Sequence, residues 1–85
     1  MVVGKMTKEE FLEYVKNNNI DLKKSNVIVG EKSNAPFSIG CYEEGSSWHL
    51  YEVDERQNFS IIKSGEEKEI FNYLYFKLRG IISRS

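Results

Sequence analysis

The sequence predicts an α+β domain: one helix, an antiparallel meander of three or four short strands, then a second helix, with both helices on one face of the sheet. Three observations predict it. Thr7-Lys8-Glu9-Glu10 is a capping box that opens a helix-period apolar pattern. Residues 37–63 carry period-two alternation broken by short polar turns, the mark of half-buried strands. Ser64-Gly65-Glu66-Glu67 reads as a second capping box, followed by Ile70, Leu74 and Leu78 at helical spacing. With 85 residues and no repeat, linker or low-complexity tract, residues 1–85 form a single domain with one modest core.

The first helix is expected from Lys8 to Asn17, with Phe11, Leu12 and Val15 as its apolar stripe and Tyr14 at the edge. Asn17-Asn18-Asn19 stops it, because Asn competes for backbone hydrogen bonds and tolerates left-handed geometry. Val27-Ile28-Val29 is a short β-branched strand ended by Gly30, and a polar loop leads to Pro36. A strand is expected over 37–42, a turn at Glu43-Glu44-Gly45-Ser46, a strand over 47–53, a loop over 54–58 and a returning strand over 59–63. The closing helix should end near Leu78 or Arg79, stopped by Gly80, with Ile81-Ile82 packing back.

Parity divides the strand residues into two faces. The helix side is assigned Phe37, Ile39, Cys41, Trp48, Leu50, Phe59 and Ile61. The open side then holds Tyr42, His49, Tyr51, Val53 and Ile62, an exposed aromatic patch with an acidic rim. A one-residue slip in register would invert the assignment and make Tyr51 and Val53 core.

Charge is unevenly spread. Residues 43–69 carry eight acids against three bases, a local balance of −5 in a chain whose net charge is −1. An acidic middle argues against nucleic-acid binding, which needs a basic track, and suits a basic partner. The opening apolar run is short and interrupted by Gly4 and Lys5, so no signal peptide is expected. No segment approaches the ~20 apolar residues of a membrane span. A cytoplasmic protein without membrane contact is the expectation.

No set of residues is arranged for chemistry. Cys41 and His49 are the one thiol and one imidazole, and parity puts them on opposite faces. Structural zinc asks for four Cys or His ligands, so neither metal nor cofactor is expected. Glu43/Glu44 and Asp54/Glu55 are adjacent pairs in turns, without the burial that would split their acidities for general acid–base work. The surface expected to bind a partner comprises Tyr42, Glu43, Glu44, His49, Tyr51, Glu52, Asp54 and Glu55.

Several of these segments carry a resemblance. Phe11 and Val15 on an opening helix, Ser25-Asn26-Val27-Ile28-Val29-Gly30, Ile39-Gly40-Cys41-Tyr42, Trp48-His49-Leu50-Tyr51-Glu52-Val53-Asp54-Glu55-Arg56 and a closing helix over 66–78 resemble the small immunity proteins of bacterial polymorphic toxin systems, including the LXG type. The family's hairpin loop usually has Gly near position 57 or 58, where this chain has Gln57-Asn58. The resemblance implies a non-enzymatic cytoplasmic inhibitor that binds a cognate secreted toxin domain, often a nuclease. Two alternatives stand beside it. One is an interaction adaptor or a self-associating domain, a homodimer, using the sheet or Tyr73 and Phe76. The other is a small hydrolase or ligand-binding domain.

Overall fold

In chain order the elements are α1 (Lys8–Asn17), β1 (Val27–Val29), β2 (Ile39–Glu44), β3 (Ser47–Val53), β4 (Phe59–Gly65) and α2 (Glu67–Ser83). They are taken from a computed structural model that describes residues 6–83. The Gly4-Lys5 interruption and Arg84 lie outside the described residues.

Helix α1 begins as its capping box dictates. Thr7 Oγ1 accepts from the Glu10 amide at 3.1 Å, and Glu10 Oε1 accepts from the Thr7 amide at 2.9 Å. A further free amide of the first turn is satisfied from far along the chain: Lys8 N donates to Glu67 Oε2 at 2.9 Å. Asn18 ends the helix by donating from backbone and side chain to the Tyr14 carbonyl, and Asn19 takes a left-handed φ of 54°. Phe11 and Val15 are buried, but Leu12 is exposed. The stripe is narrower than expected because α1 packs chiefly on α2, through Phe11 against Phe71 and Tyr14 edge-on to Tyr75.

Helix α2 departs from expectation at both ends. Strand β4 runs on to Gly65, so Ser64 serves no cap: its hydroxyl bonds His49 Nδ1 at 2.7 Å. The first helical acceptor is the Glu66 carbonyl, which receives the Ile70 amide. At the far end the helix continues through Gly80 to Ser83. Glycine costs about 1 kcal/mol inside a helix. Ile81, packed against the core one residue later, offsets that cost by burying apolar surface.

The sheet order is β1-β2-β3-β4. The β2–β3 and β3–β4 pairs are antiparallel, but β1 runs parallel to β2, with Val27 opposite Ile39 and Val29 opposite Cys41. The sheet is therefore mixed and not a pure meander. Parallel neighbours need a connection that returns to the starting end of the sheet. Residues 30–38 provide it, a stretch with reach to spare over so short a strand.

Both helices cover one face, where Val27, Ile39, Cys41, Trp48 and Leu50 meet Phe11, Val15, Ile70, Phe71, Leu74 and Leu78. Trp48 stands edge-on to Phe71 with ring centroids 5.0 Å apart. The other face holds a second, smaller core of Tyr42, Tyr51 and Val53 with Phe59 packed against it. The 30–38 connection crosses this face: Glu31 O accepts from the Tyr51 hydroxyl at 2.8 Å, and Lys32 Nζ lies 4.9 Å from the Tyr42 ring centre.

Two parity assignments are corrected. Leu50 pairs with Lys63 while Tyr51 pairs with Ile61, so Ile62 is the extra residue of a bulge. The hairpin loop sets Phe59 and Ile61 opposite Val53 and Tyr51, away from the helices, and the bulge then turns Lys63, opposite Leu50, to the helix side. Phe37 precedes the strand instead of opening it, and its side chain is exposed.

Candidate protein-interaction surface

The eight residues expected to form one binding surface are separated by the fold. Tyr51 is 0% exposed and Tyr42 6%. Tyr51 stacks on Phe59 with ring centres 4.7 Å apart, and Tyr42 sits 5.9 Å from Tyr51. The expected open aromatic patch is thus a core closed over by residues 30–38, and neither tyrosine presents its ring at the surface. Burial also pushes the Tyr51 hydroxyl up to about 12, so it remains a hydrogen-bond donor. His49 lies half-buried on the same face, its ring 5.1 Å from Tyr42.

The carboxylates fall at opposite ends of the strands. Glu43 and Glu44 pair with Trp48 and Ser47 beside the β2–β3 turn, whereas Glu52, Asp54 and Glu55 lie at the other end of β3. Seven strand residues separate the ends by about 20 Å. Exposed Glu66 joins the Glu43/Glu44 end, because Gly65 pairs with Trp48. Two acidic poles therefore replace the single acidic surface.

At the hairpin pole the acids differ in role. The Asp54 carboxylate accepts from the Asn58 amide at 2.8 Å, the Arg56 amide at 2.9 Å and the Asn58 side chain at 3.1 Å. Those bonds, the Asn58 amide foremost, hold its pKa below the usual carboxylate range. Gln57 takes the left-handed conformation the loop requires, with φ 66°. Glu52 pairs with Lys77 of α2 at 3.4 Å. Glu55 is exposed on the loop.

Phe37 is the residue that strand periodicity misplaces. It is 68% exposed and holds a positive φ of 64°, a strained conformation for a bulky residue. Neighbouring bonds hold it there: Ser38 Oγ donates to the Ala35 carbonyl at 2.6 Å, and the Ser38 carbonyl accepts from Val53 N at 2.9 Å. Phe37, Glu52, Asp54, Asn58, Ser60 and Lys77 line a shallow groove of about 330 Å³. The available signal was Pro36: proline favours the second position of a turn whose third position can require positive φ.

Cys41 and His49 lie on opposite faces of the sheet, and burial raises the Cys41 thiol to about 12. Among the described residues no three His, Cys, Asp or Glu side chains converge as a metal site would need. No helix among them is long and apolar enough to cross a membrane. Set against protein-family models, curated proteins and solved structures, the chain finds no match in any of the three.

Proposed function

We propose that this chain is a non-catalytic immunity protein that binds and neutralises a cognate secreted toxin domain in the cytoplasm, with the hairpin pole as its contact surface. One observation carries the reading: an aromatic side chain held outward in a strained conformation, Phe37, stands between Glu52 and Asp54 on one side and Glu55 on the other. Binding energy concentrates in aromatic anchors ringed by polar groups. Acidic rims speed encounter with a basic partner and reject acidic ones. A nuclease offers such a partner, because its substrate groove must be basic to hold phosphates. The residue resemblance to polymorphic-toxin immunity proteins points the same way.

The test is to mix the purified protein with the C-terminal domain of the toxin encoded beside it. A stable complex by size exclusion and calorimetry is expected. Phe37→Ala should weaken it by about 30-fold, the ~2 kcal/mol of an interface anchor, with little change in melting temperature. Glu55→Lys should slow association and reduce its salt dependence. Absence of any complex would remove the reading.

A second reading rests on α2. Tyr73 is 45% and Phe76 52% exposed on its outer side, which suits self-association. Sedimentation of the wild type and Phe76→Glu decides it: a dimer that the substitution dissociates supports the reading, and a monomer at all concentrations removes it.

A further inference from the structure

We infer that the outer edge of β4 is a docking edge for an extended segment of a protein partner, one with alternating apolar side chains and basic residues at both ends. The inference depends on the toxin-binding reading only for the identity of that partner.

Strand β4 closes the sheet on one side: β3 flanks it, and among the described residues no strand pairs with its other edge. The direction of its amides follows from the hairpin. Asp54 N donates across the loop to Asn58 O at 3.2 Å, and Val53 N points the opposite way, to Ser38 O. Antiparallel pairs alternate between bonded and non-bonded, so Phe59 and Ile61, opposite Val53 and Tyr51, turn their N–H and C=O groups outward.

The side chains suit such pairing. Ile61 is 49% and Ile62 45% exposed, adjacent on the edge. Edge strands are commonly guarded by a lysine or another charge. The single charge of β4, Lys63, is instead drawn to the helix side, 3.2 Å from Glu69 of α2. The bulge at Ile62 is an irregularity of the β3 ladder and bends the strand just beyond Ile61. Ser60, between the two outward-turned residues, lines the groove beside Phe37.

Charge selects the occupant. Glu52, Asp54 and Glu55 lie at one end of β4, and Glu66 and Glu67 at the other. A second copy of this chain added through its own β4, in either direction, would bring one acidic pole against another. A strand carrying Lys or Arg at both ends meets opposite charge at each. Strand addition of this kind draws affinity from main-chain bonds and specificity from alternate side chains.

The experiment is amide hydrogen exchange by NMR on the full chain. It is followed alone, with the neighbouring toxin's C-terminal domain, and with a synthetic peptide of alternating Thr and Val between pairs of Lys. The Phe59 and Ile61 amides should exchange freely alone and slow at least about tenfold when an occupant binds. Ile61→Pro removes an outward donor without breaking a bond to β3, so it should fold normally by circular dichroism and bind about tenfold more weakly. Ile61→Thr, which keeps the amide, should retain the protection.

A toxin complex that leaves both amides unprotected overturns the edge inference and leaves the immunity reading standing. A toxin that does not bind overturns the immunity reading, and the peptide then decides alone: protection upholds the edge inference, its absence overturns it. Protection that grows with concentration in the isolated protein assigns the edge to a second copy. Protection independent of concentration shows the edge already satisfied within the same chain. Either result overturns the inference.

Discussion

Replacing Gly40 by alanine should unfold this protein at a markedly lower temperature, although the substitution adds one methyl group. Gly40 pairs with Tyr51 across the β2–β3 ladder, and the Tyr51 ring lies over it. A Cβ at Gly40 would stand 2.5 Å from the Ile28 carbonyl oxygen, 2.7 Å from the Tyr51 hydroxyl and 2.9 Å from its ring. The Ile28 oxygen belongs to the β1–β2 backbone and cannot swing aside. Tyr51 can move only by breaking its 2.8 Å bond to Glu31 and its stacking on Phe59.

Three terms compete. Alanine narrows the unfolded ensemble, which favours folding by about 0.4–1 kcal/mol. Overpacking costs about 1–3 kcal/mol, and the upper figure applies where backbone is the obstacle. Losing the Tyr51 bond adds about 1 kcal/mol. The balance is a loss of about 3 kcal/mol, or about 12–24 °C in melting temperature for a domain of this size. Thermal melts by circular dichroism measure it. In a Tyr51→Ala background the same change should cost at least about 1 kcal/mol less, since the ring is gone. A Gly40→Ala protein melting within about 4 °C of the wild type would refute the close approach.

Trp48→Ala should cost about 3–5 kcal/mol, read from the denaturation midpoint, because the ring is 8% exposed and packs against Phe71. Asp54 has a folded-state pKa below the ordinary carboxyl value of about 3.9, so its contribution is fully present above about pH 4 and disappears as pH falls through the lowered value. The melting temperatures of wild type and Asp54→Ala should accordingly converge on acidification; a constant gap would mean that the loop bonds do not favour the ionised form. Cys41, buried and held protonated by its surroundings, should resist a thiol reagent at mildly alkaline pH and react promptly once the chain is unfolded. Prompt reaction of the native protein would contradict its burial.

Local chemistry accounts for what the sequence made legible. The Thr7/Glu10 box and the three asparagines set both ends of α1, and alternation set the bounds of β3 and the inward face of Trp48 and Leu50. The misplaced features depend on interactions between distant residues. Phe59 and Ile61 take the parity of Val53 and Tyr51 across the hairpin, and the extra residue Ile62 shifts it beyond them, where no residue type announces a bulge. The direction of β1 depends on where residues 30–38 travel, and their polar composition fits a connection over either face. The same excursion buries Tyr42 and Tyr51, so the candidate site changed with it. Sequence reasoning found the acidic hairpin, missed its division from Glu43 and Glu44, and assigned Phe37 to the interior.

The bond from Lys8 N to Glu67 Oε2 joins two residues 59 positions apart. Synthesis makes α1 before α2, which carries Phe71, the ring that shelters Phe11. Helix α1 therefore cannot cover Phe11 with Phe71 until α2 has been made. A fragment comprising residues 1–66 should show negligible protection of the α1 amides, whereas adding back a peptide of residues 67–85 should restore it. In order of synthesis α1 waits for α2, so protease resistance of α1 is expected only once α2 is in place.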